Sequence, residues 1–401
     1  MRSSTPTITW VGETGHLAWY SKYALTCAAA RRGIPLKQIA ADDAPDFSMP
    51  PDIDSSLRGC HGLVVVEWEG RRCSLIVDVA EGFFFVSPAM QHVDLYLCSA
   101  YHPALFHDRQ IPEPYAWQTT ESVDTLRSHF ASTLETCGAW FNKVQPYVPM
   151  PMSLDFPRHM RNFGSWLKSQ LLAQTMRRGP RTITLDDAEH RRFDLRYRLA
   201  ESYRSLPIQY DIVLRDTFWA SPAHRAQLHQ VVEALEDDRR VERELREVSD
   251  DYDRAWLRDQ LSPELWRQAE PLLQSRAALE EPFEQMIASS RLNIHAVGKH
   301  WGWREICFLS LVCGTPILMD RPQFMPYCGL DDFEIWFTEG EWSEIPDLLA
   351  SITDLRWAEI RLKNQAAFDR HLAPDALGRH IIAAAMSHMG ATNDEMAELN
   401  I

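Results

Sequence analysis

Arg291 to Pro322 reads RLNIHAVGKHWGWREICFLSLVCGTPILMDRP, and its punctuation sets the fold class. Leu292, Ile294, Ala296 and Val297 form an alternating, β-prone run that predicts a strand. Gly298 breaks it. A loop of cations and indole rings follows: Lys299, His300, Trp301, Gly302, Trp303, Arg304 and Glu305. Ile306 to Cys313 is apolar and long enough for two helical turns, and Gly314 stands where a helix C-cap favours glycine. Thr315-Pro316 leads into Ile317-Leu318-Met319, a second buried strand closed by Asp320-Arg321-Pro322. A strand–loop–helix–strand unit of about thirty residues has the size of a βαβ crossover. Its loop falls at the carboxyl end of the first strand, where open α/β sheets take their ligands.

The N-terminus repeats this grammar. Thr7 to Val11 predicts a strand, Gly12-Glu13-Thr14-Gly15-His16 a loop, Leu17 to Arg31 a helix, and Pro35 to Ile39 a second strand after Gly33. Such a β–loop–α–β opening predicts a doubly wound sheet. The spacing of Gly12 and Gly15 is not GxGxxG, so a dinucleotide fingerprint is excluded. Gly62 to Trp68 and Cys73 to Val79 are two more strands, turned by Glu69-Gly70-Arg71-Arg72 and read either as a hairpin or as two neighbouring strands. Asp78 and Glu81 end the second of these. Carboxylates at strand ends serve as bases, position hydroxyls, or simply close turns. Val93 to Cys98 is a further strand, and Asn142 to Pro151 reads as an extended exit from the first half.

Beyond it, Met160 to Arg177 predicts a helix. Arg177 to Arg198 mixes arginines with acids and predicts a solvated helical face. Ile208 to Arg215 is a strand candidate. Pro222 to Arg246 has apolar Leu228, Val231, Val232 and Leu235 at helical spacing, and a charge-dense exposed arm continues to about Asp259. Pro282 to Ser289 is a short helix and Phe333 to Phe337 a strand. Helices follow over Trp342 to Ile352, Leu355 to His371 and Ala373 to His388, with a frayed tail after Gly390.

At 401 residues the chain has room for two domains, and 45% hydrophobic content is enough to bury sizeable cores. No apolar run reaches the ~18 residues of a membrane span. The first ten residues, MRSSTPTITW, lack a secretory apolar stretch, which predicts a cytoplasmic protein. The eight cysteines include no CxxC pair and sit mostly in apolar segments, so they are expected to be reduced core residues. A net charge of −15 disfavours a nucleic-acid surface, which needs cations to displace counterions. No DxD stands at a convincing strand end; Asp186-Asp187 and Asp331-Asp332 are adjacent pairs in expected loops. HExxH, P-loop and GxSxG motifs are absent.

The stretch Cys313-Gly314-Thr315-Pro316-Ile317-Leu318 resembles the small-Gly-x-Pro-hydrophobic ending of the donor half in GT-B-type glycosyltransferases, especially exostosin-like and bacterial polysaccharide enzymes. The resemblance covers roughly residues 280 to 370. It implies two Rossmann-like domains facing a cleft, with a charged helical insertion. In these terms 1–150 is an acceptor domain, 151–260 a connecting and helical region, 205–370 a donor-binding domain, and 371–401 a C-terminal helix and tail. The implied activity moves a sugar from a UDP- or GDP-linked donor to a hydroxyl acceptor, with no bound cofactor and no metal. Arg304 stands near the family's donor-phosphate arginine. The family's helix acid is replaced by Leu309, with Glu305 as the nearest carboxylate.

The resemblance and the residues together nominate a site. His16 matches the family's general base and would sit at a helix N-terminus, where the dipole keeps an imidazole neutral; alternatively it only caps the helix. Asp78 and Glu81 are further base candidates, and Gly12, Glu13, Thr14 and Gly15 form the acceptor-side loop. On the donor side are Gly298, Lys299, His300, Trp301, Trp303, Arg304, Glu305, Asp320, Arg321 and Glu339. A helix start with Lys299 and Arg304 suits a departing diphosphate, and Trp301 or Trp303 offers a face for a base or ribose, or else packs between helices. Two rivals stand beside this reading: a non-catalytic scaffold of the same fold, which Leu309 favours, and a transferase acting on a modified DNA base or on protein.

Overall fold

The computed structural model describes residues 5–12, 18–40, 60–80, 86–115, 120–148, 182–186, 211–215, parts of 258–270, 290–295, 305–338 and 345–401. The chain forms two compact units. The first comprises Met1–Gln170, Val297–Glu341 and Ile352–Ile401; the second comprises Leu171–Ala296 and Trp342–Ser351.

The first unit holds a six-stranded sheet made of β1 (Thr7–Val11), β2 (Leu36–Ile39), β3 (His61–Trp68), β4 (Arg71–Asp78), β5 (Leu95–Cys98) and β6 (Val144–Pro146), in the order β2-β1-β3-β4-β5-β6. β1 pairs parallel with β2, β4 with β5, and β5 with β6, whereas β3 is antiparallel to both β1 and β4. Five strands therefore run one way and β3 alone runs back. The inversion comes from a tight hairpin: Glu69 and Gly70 have φ of 51° and 74°, the pair of positive values that a two-residue primed turn needs. The first residue of β3 thus lies at the edge where its neighbours end.

The two faces of this sheet are covered differently. Val11, Leu63, Val65, Ile76 and Tyr96 share a core with Phe106 of α2 (Pro103–Phe106), Leu126 and Phe130 of α3 (Thr120–Cys137) and Phe141 of the 3₁₀ turn Gly138–Lys143. By alternation, Trp10, Val64, Leu75 and Val77 point the other way. Trp10 lays its indole over Gly62, where any Cβ would collide with the ring.

The first unit also contains α1 (Trp19–Arg32), α4 (Glu305–Cys313), α6 (Asp354–His371), α7 (Pro374–His388) and α8 (Asn393–Glu398). α1 and α7 pack along each other, and α7 also meets β3 and β4. Small residues allow the approach. A Cβ on Gly378 would run into the backbone carbonyl of Ala24 and the methyl of Ala28. The crossing is pinned by Arg32, whose side chain is only 3% exposed and lies 2.6 Å from Asp375. β10 (Ile317–Asp320) and β11 (Ile335–Thr338) pair in parallel, and β10 is buried throughout. Gly314 ends α4 at φ 76°, with a would-be Cβ 2.5 Å from the Arg361 carbonyl of α6, so position and conformation both demand glycine.

The second unit contains β7 (Thr182–Asp186), β8 (Asp211–Arg215), β9 (Ser290–His295) and α5 (Ile345–Ser351). β7 pairs parallel with both β8 and β9, and β9 is buried along its whole length.

Three expectations are corrected. Arg177–Arg198, read as a helical face, contains β7, because the β-branched run Thr182-Ile183-Thr184 outweighs its charged flanks once two partner strands accept it. The segment read as an exit from the first half is itself an edge strand, β6, where Pro146 is tolerated. The tail after Gly390 is a helix closed by a capping box, with Thr392 and Glu395 each accepting the other's backbone N–H. Met160–Arg177, Pro222–Arg246 and Pro282–Ser289 lie outside the described residues. Among the described residues no disulfide forms, and no helix is long and apolar enough to cross a membrane.

Candidate functional site

Across the first sheet, register aligns one row of residues at the edge where the parallel strands end. His61 of β3 faces Asp78 of β4, Asp78 faces Cys98 of β5, and Cys98 faces Pro146 of β6. Residues directly opposite on paired strands share a face, and Tyr96, two positions before Cys98, shares it too. The carboxylate of Asp78 is 1% exposed and collects donors. Tyr96 gives it a hydroxyl hydrogen bond at 2.6 Å, the Ala80 N–H donates at 2.9 Å, and His61 Nε2 lies 3.5 Å away. His61 Nε2 is also 3.2 Å from the Tyr96 hydroxyl, which in turn accepts the Ser87 N–H at 3.1 Å. Burial first, and then the negative charge of Asp78, hold the Tyr96 phenol and the Cys98 thiol well above their usual ranges, so both stay protonated.

The next residues along β5 carry the edge outward. Ser99 hydrogen-bonds the Ala80 carbonyl, and Tyr101 stacks on Phe106. His102 is wedged edge-on between Phe130 and Phe324. Its Nε2 meets Gln323 Oε1 at 2.8 Å, while the Gln323 amide donates to the Glu113 carbonyl. That second bond fixes the amide orientation, so His102 donates through Nε2–H. Burial pushes the His102 pKa down, with the Gln323 bond opposing.

Gln323 belongs to the segment leaving β10, which runs beside the loop after α2. Tyr115 donates to the Arg321 carbonyl at 2.7 Å, and Met325 N–H donates to the Tyr101 carbonyl at 2.9 Å. The carboxyl ends of β5 and β10 are therefore joined by direct hydrogen bonds within this unit. Farther along, Tyr327 stacks face to face on His380 of α7, with ring centres 3.7 Å apart, beside Tyr147 just beyond β6. His380 bonds the Pro146 carbonyl, and its Nε2 has no partner among the described residues. Burial pushes its pKa down to about 4.

Of the nominated residues, Gly12, Asp78, Asp320 and Arg321 are described. Gly12 follows β1 at φ 83°, and its N–H donates to the Ile39 carbonyl at the end of β2. Asp320 closes β10 and is 2% exposed; its charge, after burial, keeps the Tyr115 phenol protonated. Arg321 places its guanidinium 4.4 Å over the Phe337 ring. Glu13, Thr14, Gly15, His16, Glu81, Gly298, Lys299, His300, Trp301, Trp303, Arg304 and Glu339 lie outside the described residues, and Glu305 opens α4 with its side chain outside them. Asp332, of the weak Asp331-Asp332 pair, is held by His371 and Arg370, which lower its carboxyl below the usual range. Among the described residues no group of three or more His, Cys, Asp or Glu side chains is placed to hold a metal ion.

Sequence reasoning singled out Asp78 but passed over His61, Tyr96, His102 and Gln323. The only signal was His61 at the head of a strand, and it carries meaning only once the direction of β3 is known.

No protein-family model and no curated protein matches the chain. Two solved structures resemble it loosely. One is Anabaena Alr3699/HepE in complex with UDP-glucose, 11% identical at a TM-score of 0.40, and the other is the same protein with UDP and glucose, 9% identical at 0.35. Each alignment covers 94% of this chain and 99% of the other. Likeness at that level carries no functional weight, so the function rests on the residues.

Proposed function

We propose that this chain is a glycosyltransferase that moves a hexosyl or pentosyl unit from a UDP- or GDP-linked donor to a hydroxyl acceptor without a bound metal. What carries the reading is the unit from Glu305 to Asp320: a helix, a glycine whose φ and surroundings admit no side chain, and a fully buried strand paired in parallel with β11. That is the arrangement implied by the Cys313–Leu318 motif.

In this reading 205–370 binds the donor. Arg304, Lys299 and His300 meet the diphosphate near the start of α4, where backbone N–H groups and the helix dipole favour negative charge. Trp301 or Trp303 stacks on the nucleoside, Gly298 lets backbone approach, and Glu305, Asp320, Arg321 and Glu339 reach sugar or ribose hydroxyls. The sheet of 1–150 binds the acceptor. Gly12, Glu13, Thr14 and Gly15 are its loop, and the proton acceptor comes from the strand-end edge that holds Asp78, with His16 and Glu81 as the other nominated bases. The diphosphate leaves with charge that oriented cations stabilise in the transition state.

Thermal unfolding against a panel of UDP-sugars, GDP-sugars, UDP and GDP tests the reading. A ligand that binds only the folded chain raises the midpoint by mass action. The expected result is a shift with one nucleoside diphosphate and its sugars that disappears in Arg304→Ala, with the far-UV spectrum unchanged. An Arg304→Ala chain that keeps full donor affinity overturns the assignment of the site. No shift with any nucleotide favours the scaffold.

A further inference from the structure

We infer that His61 is the group that takes the proton from the acceptor hydroxyl, with Asp78 and Tyr96 as its positioning residues; this rests on the transferase reading above. Topology brings the imidazole to the right place. In a sheet of parallel strands the ligand edge is built from strand ends, and only an inverted strand delivers its first residue there. β3 is that strand, and His61 is its first residue.

The hydrogen-bond network then fixes which nitrogen is available. The Tyr96 hydroxyl has one hydrogen, and it goes to Asp78 at 2.6 Å. Toward His61, at 3.2 Å, that oxygen acts only as an acceptor. Asp78 Oδ2, 3.5 Å from the same nitrogen, also only accepts. His61 Nε2 therefore carries the ring hydrogen, and the lone pair sits on Nδ1, on the side of the ring away from both partners. The Ala80 and Ser87 N–H groups hold Asp78 and Tyr96 in turn. A base held by a phenol that is in turn hydrogen-bonded to a carboxylate, with both of these held by backbone donors, extends the logic of hydrolase triads by one relay, reached here through a sheet register. Asp78, 1% exposed and occupied by two hydrogen-bond donors with His61 Nε2 3.5 Å away, is better placed to orient a base than to be one.

In the step, the hydroxyl proton of the acceptor moves to His61 Nδ1. The acceptor oxygen forms a bond to the anomeric carbon, and the bond from that carbon to the diphosphate oxygen breaks. Its electron pair leaves with the nucleoside diphosphate, and the imidazolium returns its proton to solvent.

The test uses the full chain with UDP-glucose and GDP-mannose, read by donor-induced thermal shift and by free nucleotide released with water as acceptor. His61→Gln should keep the donor shift and lose about a hundredfold or more in release, the range expected for general-base catalysis. In His61→Gly, added imidazole should restore part of the release, and in Asp78→Asn kcat should fall with the donor KM unchanged. Release by His61→Gln within about threefold of the parent, with the donor shift intact, overturns the assignment. So does His61→Gly that binds donor yet gains nothing from imidazole; if that variant does not fold, His61→Gln decides. A parent chain that neither shifts nor releases nucleotide with any donor sinks the transferase reading itself, a failure distinct from a parent that turns over and a His61→Gln chain that does so equally well.

Discussion

Two largely buried histidines lie near the same edge of the first sheet, and their surroundings are opposite. His61 points Nε2 at a carboxylate and a phenol that are themselves hydrogen-bonded to backbone. His380 is stacked on Tyr327, spends one nitrogen on the Pro146 carbonyl, and leaves the other without a partner among the described residues. The first environment supplies hydrogen-bonding partners that fix the orientation of the ring. The second supplies ring faces and a single carbonyl, and it disfavours the charged form. Residue type and burial therefore do not set the role; the partner does. The same contrast separates the polar row His61–Asp78–Tyr96 from the close-packed crossing of α1 and α7, which carries His380.

The strongest way to break the comparison is to move α7. Gly378→Ala would push the helix off the Ala24 carbonyl and should lower stability by about 3 kcal/mol, at the upper end of overpacking costs. Denaturant unfolding measures the loss. A variant as stable as the parent would mean that the crossing tolerates a wider spacing, and that His380 is not held by it.

A smaller effect, and a sharper one, is the pH dependence assigned to His380. Its pKa is about 4 in the folded chain, against about 6.5 when unfolded. Between those values the unfolded state binds more protons, so stability rises with pH through this window and is lost as pH falls from 6.5 toward 4. The full shift corresponds to about 3.4 kcal/mol, which the ring's partial exposure brings down to on the order of 2 kcal/mol. Urea midpoints of the parent should drop across that window more steeply than those of His380→Phe. Parallel pH profiles would remove the contrast between the two histidines.

The smallest expected effect sharpens the other half. Tyr96→Phe removes the hydroxyl that links His61, Asp78 and the Ser87 N–H and should cost about 1–2 kcal/mol, as buried donors lose their partner. A chain unchanged in stability would mean that the network is not held together through Tyr96.

Much of the architecture was legible because it is written locally. The β1–α1–β2 opening, the hairpin at Glu69-Gly70, the α4–Gly314–β10 unit and the helices α6 and α7 all lie where periodicity and glycine placement put them. β7 was hidden because its few β-branched residues are flanked by arginines and acids, and only two partner strands make a strand of them. α8 was hidden because its signal is one capping box in a short polar tail.

The candidate site divides in the same way. Asp78 could be picked out at a strand end from sequence alone, since strand ends are local. Its partnership with His61 could not, because the hairpin that reverses β3 constrains direction only relative to β4, and the pairing of β3 with β1 is a choice of the whole sheet. His102 and Gln323 stand 221 residues apart and meet only where the ends of β5 and β10 converge. The sequence by itself determined most of the strands and helices of the first unit and the chemistry each side chain can offer, because propensity, periodicity and side-chain type are properties of short stretches. The tertiary structure alone decided which of those residues face one another, because register and strand direction are settled by burying whole faces at once.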